Sequence, residues 1–226
     1  KGAFETTNRL EHAAERAAVA KSREVWTSKV EGKESGEVAK DSELLNYAMA
    51  GGRVIFEDNC QPCHGSAGSG AKNFPVLADD DWLWGGDIEA IHATISHGIR
   101  NEEDPDARWS EMPAYEEVFT EEEIAATAEY VLSLSGSDHD AAAAAVGMEI
   151  FAGECSSCHG DAGMGDPELG APNLTDAIWL YDGTRDRIVE TITYSRFGVM
   201  PAWGQRLSEA EVKAVTLYVH QLGGGE

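Results

Sequence analysis

The stretch CQPCHG at residues 60–65 returns as CSSCHG at residues 155–160. Each copy has two cysteines separated by two residues and followed directly by a histidine. In a helical turn, cysteines at this spacing project to one side, so both thiols can form thioethers with the vinyl groups of one haem. The adjacent histidine then lies beneath the iron. The repeat predicts two covalent c-type haems, attached through Cys60 and Cys63 and through Cys155 and Cys158, with His64 and His159 as axial iron ligands.

Other uses of paired cysteines fit this sequence less well. In a zinc ribbon the two pairs typically lie about 15 to 20 residues apart, whereas here they begin at Cys60 and Cys155 and each has a redundant histidine. Disulfides or a thioredoxin-like redox pair would leave those histidines unexplained. They would also leave unexplained the Gly- and Pro-rich loops at 65–75 and 160–172, which need a partner such as a haem to pack on.

The two motifs belong to an internal duplication. Landmarks recur in the same order: a glycine and a phenylalanine before the motif, aromatic residues after it, a Met-Pro-Ala segment and a closing Tyr-Val pair. The matched sets are Gly52 and Gly147, Phe56 and Phe151, Trp82-Leu-Trp84 and Trp179-Leu-Tyr181, Met112-Pro-Ala-Tyr115 and Met200-Pro-Ala-Trp203, and Tyr130-Val131 and Tyr218-Val219. We therefore predict an all-α protein with two tandem cytochrome c-like haem domains, at 42–136 (the first half) and 137–226 (the second half).

The segment 1–41 precedes the duplication. We predict a helix from about Asn8 to Trp26. We expect Lys29 to Asp41 to form a solvated linker, because this stretch is rich in Glu, Lys, Gly and Ser.

Helix boundaries within the halves can be predicted from capping residues. Asp41 or Ser42 and Asp140 can begin helices that run into the two motifs, and Asp87 can begin a helix with isoleucines at 88, 91, 95 and 99. Its counterpart should begin near Thr184, with Ile188 and Ile192 inward. Capping boxes are predicted at Thr120 with Glu123 and at Ser208 with Glu211. Gly52 with Phe56, and Gly147 with Phe151, suit a helix that crosses the final helix at Tyr130 or Tyr218.

The sixth iron position is predicted to be a methionine. Met112 and Met200 are the methionines at equivalent places in the two halves, each followed by proline and lying 48 and 41 residues after His64 and His159, with which we expect them to pair. A thioether is a neutral, soft ligand that favours ferrous iron. His92 and His97, just upstream of Met112, leave open a bis-histidine first haem.

Several other residues are candidates for the haem surroundings. Trp82, Trp84, Trp179 and Tyr181 can line the haem edge and donate to propionates, or serve as core aromatics. Arg100 and Arg196 can offset propionate charge, although a surface ion pair is the simpler expectation.

Composition excludes some partners. With 41 acidic and 17 basic side chains the net charge is -24, which repels nucleic acids and anionic membrane surfaces and favours a basic partner. No run approaches the roughly 20 apolar residues of a membrane-spanning helix, and no signal peptide is recognised at the start of the chain.

Taken together, these residues resemble the di-haem c subunit, the CcoP/FixP family (subunit III), of cbb3-type cytochrome c oxidases. The resemblance covers essentially the whole chain. It is carried by the segments Asp80 to Gly86, His97 to Arg100, Gly170 to Asp176, Trp179 to Tyr181, Met200 to Trp203 and Tyr218 to Gly224.

The resemblance implies a membrane-anchored electron-transfer subunit on the periplasmic side of the bacterial inner membrane. It would accept electrons from a cytochrome c or the bc1 complex and pass them to the mono-haem c subunit and then to the catalytic haem-copper subunit. Members have an amino-terminal transmembrane segment, so we expect this chain to begin just after one. A free periplasmic di-haem shuttle, a di-haem peroxidase and a gas-binding sensor are the alternatives.

Overall fold

The structure, a computed structural model, describes residues 3–223 and 225, so Lys1, Gly2, Gly224 and Glu226 lie outside it. Over that part of the chain it is helical, with β-structure only as isolated bridges, which confirms the all-α prediction. The helices are α1 (Ala3–Glu31), α2 (Ser35–Lys40), α3 (Ser42–Asn59), α4 (Gln61–His64), α5 (Ile88–His97), α6 (Glu121–Leu134), α7 (Ala141–Glu154), α8 (Ser156–His159), α9 (Arg185–Tyr194) and α10 (Glu209–His220).

The predicted helix starts are confirmed. Asp41, Asp87 and Asp140 each accept a hydrogen bond from a backbone N–H of the first turn of α3, α5 and α7. Thr120 and Ser208 form capping boxes at α6 and α10 with Glu123 and Glu211. These side chains satisfy N–H groups that have no partner within the helix.

The expected linker from Lys29 to Asp41 is wrong. Helix α1 continues to Glu31, and α2 occupies most of the remainder. Val30 and Val38 are 1% and 0% exposed and pack with Leu44 and Leu217. These valines help to dock a mostly polar stretch on α3 and α10, and composition alone did not reveal this.

The closing helix of each half packs against the other half. Helix α6 lies on α7 and α9, whereas α10 lies on α3 and α5. Gly52 in α3 and Gly147 in α7 permit the close approach of α3 to α10 and of α7 to α6. A Cβ at Gly52 would lie 2.1 Å from the Ala214 carbonyl oxygen, and one at Gly147 would lie 2.0 Å from the Ala126 carbonyl oxygen.

This packing divides the chain differently from the predicted halves. Residues 112–196 form one contiguous body, the inner unit, around Phe151, Ile188 and Ile192. Residues 30–99 and 200–222 together form the outer unit, around Phe56, Ile91 and Val215. Two crossover segments, 100–111 and 197–199, join the units. The two copies of the duplication therefore follow one another in the sequence, whereas each folded unit combines helices from both copies.

Within the described residues, no helix has both the length and the apolar character needed to cross a bilayer.

Candidate haem sites

The two C-x-x-C-H motifs have the same local structure. Helices α3 and α7 end at Cys60 and Cys155, whose N–H groups bond to the carbonyls of Phe56 and Phe151 at 2.9 Å. The short helices α4 and α8 follow at once and carry the second cysteine and the histidine. The cysteines of each motif are thus held within one turn of one another, as thioether attachment to one haem requires.

Each histidine is oriented by a backbone carbonyl. His64 Nδ1 lies 3.3 Å from the Pro75 oxygen, and His159 Nδ1 lies 3.1 Å from the Pro172 oxygen. When Nδ1 donates to these carbonyls, Nε2 carries the lone pair and can ligate iron. The sequence did not single out the two carbonyls as partners.

Burial at the motifs favours neutral side chains. It lowers the pKa of both His64 and His159, against a smaller opposing effect of the proline carbonyls. It raises the pKa of Cys60 and Cys155 to about 11. Neutral imidazoles and buried sulfur atoms beside apolar side chains suit a covalently held haem.

The inner unit contains a cavity lined by all the side chains needed to attach one haem and ligate its iron. Its lining brings Met112 together with Cys155, Cys158 and His159. The walls are largely apolar, from Tyr115, Val131, Phe151, Leu174, Trp179, Ile188 and Ile192, and Arg100, Asn173 and Arg196 add polar groups. An apolar slot with sulfur and imidazole donors and cationic groups for carboxylates fits a haem.

The outer unit contains both Met200 and the other motif. Met200 and Cys60 pack against the same buried cluster, which includes Phe56, Ile91 and Ile95. The backbone of Met200 is fixed by two hydrogen bonds with Ile99, of 2.9 and 3.1 Å.

A buried hydroxyl supports the fit of a cofactor in the outer unit. Thr94 holds the position in α5 that Thr191, which lines the inner cavity, holds in α9. Thr94 Oγ1 is buried and has no hydrogen-bond partner among the described residues. Such an atom needs a polar partner, which a bound haem would bring to this side of α5.

The methionines are therefore exchanged between the sequence halves. From their order in the chain, Met112 was expected with His64, and Met200 with His159. The structure instead places Met112 with the motif of the inner unit and Met200 with that of the outer unit. No local sequence signal distinguishes the two arrangements, because both halves carry the same landmarks.

The two histidines near the first site contact polar side chains through Nδ1. His97 Nδ1 lies 3.2 Å from Asp104 Oδ1. His92 Nδ1 lies 3.5 Å from Ser96 Oγ. Its buried Nε2 lies 3.5 Å from a carboxylate oxygen of Glu209 but has no hydrogen-bond partner among the described residues. An imidazole held through Nδ1 can still ligate iron through Nε2, as argued for His64 and His159, so a histidine sixth ligand stays an open prediction.

The remaining candidates divide between the units. Trp84, Trp179 and Tyr181 line the inner cavity, as do both arginines, Arg100 and Arg196. Trp82 instead packs on the core of the outer unit. Trp84 and Arg100 precede the inner unit in the chain, yet both line its cavity: Trp84 belongs to the outer unit and Arg100 to the first crossover.

Comparison with known proteins identifies two stretches of the chain that fall within the two sequence halves. The family model described as cytochrome c oxidase, cbb3-type, subunit III matches residues 48–131 and 142–219. The chain is 54% identical over 191 residues to the cbb3-type cytochrome c oxidase subunit CcoP of Cereibacter sphaeroides, covering 84% of this chain and 66% of that protein. It is 53% identical over 191 residues to the FixP subunit of Azorhizobium caulinodans, covering 84% and 65%.

A third relative aligns with the whole chain. The FixP subunit of a Bradyrhizobium species is 44% identical over 232 residues, covering 100% of this chain and 79% of that protein. The chain thus spans about two thirds of the length of the first two relatives. Membership of such a family implies haem c as the cofactor. From the matched family model and these identities, the chain belongs to the subunit III family of cbb3-type cytochrome c oxidases.

Proposed function

We propose that the chain carries two haems c with crossed axial ligands. His159 and Met112 would hold the haem attached to Cys155 and Cys158, and His64 and Met200 would hold the haem attached to Cys60 and Cys63. The observation that carries the proposal is the cavity of the inner unit, where Met112 opens onto the same space as Cys155, Cys158 and His159.

The residues around each site suit electron transfer. When bound, each haem supplies an iron that alternates between the ferrous and ferric states. The Pro75 and Pro172 carbonyls hold the imidazoles in one orientation, and the methionine sulfur raises the reduction potential. With histidine and methionine both holding each haem, neither iron would offer an open position to a substrate, so the chain would transfer electrons and not act as an enzyme on its own.

The family supports a role within an oxidase. We propose that this chain accepts electrons from a soluble or anchored cytochrome c or from the bc1 complex. It would relay them to the mono-haem c subunit and thence to the haem-copper subunit that reduces oxygen. This places the haem units on the periplasmic side of the bacterial inner membrane. Its net charge of -24 would steer a basic donor, with a rate that falls as salt rises.

The names of the relatives favour this role over the alternatives from sequence. They describe oxidase subunits, which supports an oxidase subunit over a free shuttle. A di-haem peroxidase or a gas sensor requires an iron with an open sixth position, and the methionine in each unit supports a filled one.

Absorption spectra of the haem-loaded chain test the proposal. In the ultraviolet-visible and near-infrared range, both haems should be low-spin with methionine-to-iron bands when oxidised. Neither spectrum should change when carbon monoxide is added to the reduced protein. A haem that binds carbon monoxide, or peroxide turnover by the isolated chain, would contradict electron transfer as the sole role.

A further inference from the structure

One side chain joins the two crossover segments. Arg100 lies at the start of the first crossover, and its Nε donates to the Ser110 carbonyl at 2.5 Å. Its Nη1 donates to the Gly198 carbonyl, in the second crossover, at 3.1 Å. Ser110 lies two residues before Met112, and Gly198 lies two residues before Met200. A single guanidinium therefore holds the backbone two residues before each methionine.

The surroundings fix the direction of this guanidinium. Its carbon lies 5.7 Å from the ring centre of Trp84, which is 8% exposed, and 5.4 Å from that of Phe197. Contacts with two rings restrict a planar cation to few orientations. The side chain thus presents its donors to both carbonyls at once.

The backbone around Arg100 also packs against Met200. Arg100 has a φ of 51°, a left-handed conformation that is uncommon for arginine, and its N–H donates to the Arg108 carbonyl at 2.8 Å. Two residues earlier, a Cβ at Gly98 would lie 2.2 Å from the Met200 carbonyl oxygen. Because Gly98 has no Cβ, residues 98–100 pack directly against the backbone of Met200.

Arg196 provides a contrast within the same cavity. Its guanidinium donates to Thr191 Oγ1 and to the carbonyls of Arg187 and Tyr181, all in the inner unit. It also lies 3.7 Å from a carboxylate oxygen of Glu190. It therefore adds positive charge at the inner cavity without bonding to either crossover.

We propose that Arg100 is a positioning residue shared by both methionine loops, so that the sixth ligand of each haem depends on this one guanidinium. The inference rests on the proposed ligation by Met112 and Met200. Arg100 touches neither iron. It acts by bonding to the Ser110 and Gly198 carbonyls, which fixes the positions of the two crossovers relative to one another.

The test uses the full, haem-loaded chain and measures the strength of each methionine-iron bond. Proton NMR of the reduced protein resolves one shifted methionine methyl signal per haem, assigned with Met112→Ala and Met200→Ala. Imidazole, titrated into the oxidised protein, competes with methionine for iron. In Arg100→Gln, imidazole affinity should rise by about tenfold at both haems, as expected for one lost charge-assisted hydrogen bond at each loop.

Two further variants separate the forked contact from charge and fold. Arg100→Lys keeps the charge but cannot donate to both carbonyls with a planar fork, so it should also weaken methionine binding at one haem or both. It carries the test alone if Arg100→Gln fails to fold. Arg196→Gln should affect only the haem of the inner unit, and Arg53→Gln, on the exposed face of α3, should affect neither.

The outcomes distinguish this inference from the function on which it rests. If the unaltered protein lacks two shifted methionine signals, the proposed ligation fails. If both signals are present and Arg100→Lys matches the unaltered protein at both haems, the shared role of Arg100 is overturned. An Arg100→Gln effect confined to one haem would overturn it equally.

Discussion

A methyl group added at Gly52 should separate α3 from α10. The new Cβ would lie 2.1 Å from the Ala214 carbonyl oxygen and 2.6 Å from its carbon. Ordinary van der Waals contact begins at 3.4 Å, so the helices would have to move apart by more than 1 Å. Both obstructing atoms are backbone, which cannot turn aside as a flexible side chain can.

The neighbouring residue supplies a matched control. A Cβ at Gly51 meets nothing within 4 Å, so Gly51→Ala should stabilise the chain by about 0.5–1 kcal/mol through helix propensity alone. Gly52→Ala has the same propensity gain but suffers overpacking of about 3 kcal/mol, for a net loss of about 2 kcal/mol. The two substitutions should therefore differ by about 3 kcal/mol.

Denaturant unfolding of the haem-loaded chain, followed by helical circular dichroism, measures this difference. The second motif helix allows the same comparison, with Gly147→Ala against Gly153→Ala, whose Cβ also meets nothing within 4 Å. Equal stabilities for Gly52→Ala and Gly51→Ala would refute the close crossing of α3 and α10.

Two further predictions concern the crossed packing and pH. A double-mutant cycle between Phe56 and Tyr218, whose ring centres lie 5.4 Å apart, should give a coupling of about 0.5–1.5 kcal/mol; a cycle between Phe56 and Tyr130 should give none, and the reverse result would favour packing within each half. Burial, with Asp176 and Asp79 nearby, raises the pKa of Asp81 to about 6. The folded chain therefore favours protonated Asp81, so its contribution to stability is present below about pH 4 and lost as pH rises through about 6. Asp81→Asn should raise the melting temperature at pH 7 and not at pH 4, and equal shifts at both pH values would contradict this.

Local features of this fold can be read from the sequence because they depend on near neighbours. The Asp87 carboxylate caps the start of α5 by accepting a hydrogen bond from the Ala90 N–H at 2.7 Å. These two residues lie only three positions apart in the sequence. The same holds for the capping boxes and for the C-x-x-C-H turns. Such contacts need no knowledge of what else packs nearby.

The exchange of helices between halves could not be predicted in this way. Tyr130 and Tyr218 occupy equivalent positions on equivalent helices, so the sequence allows either helix to cover Phe56. The short loop between α6 and α7 favours their antiparallel packing, and once α6 is placed there, α10 closes the outer unit. Helix α2 was missed for a different reason, because its docking depends on a few buried side chains within a polar composition.

The most direct test of the crossed ligation isolates the outer haem. In the full chain, Cys155→Ser with Cys158→Ser removes covalent attachment at the inner site, and the remaining haem is bound through Cys60 and Cys63. The near-infrared methionine band of this protein should disappear with Met200→Ala and persist with Met112→Ala. Loss of the band with Met112→Ala and its persistence with Met200→Ala would show ligation within each half of the sequence and contradict the account.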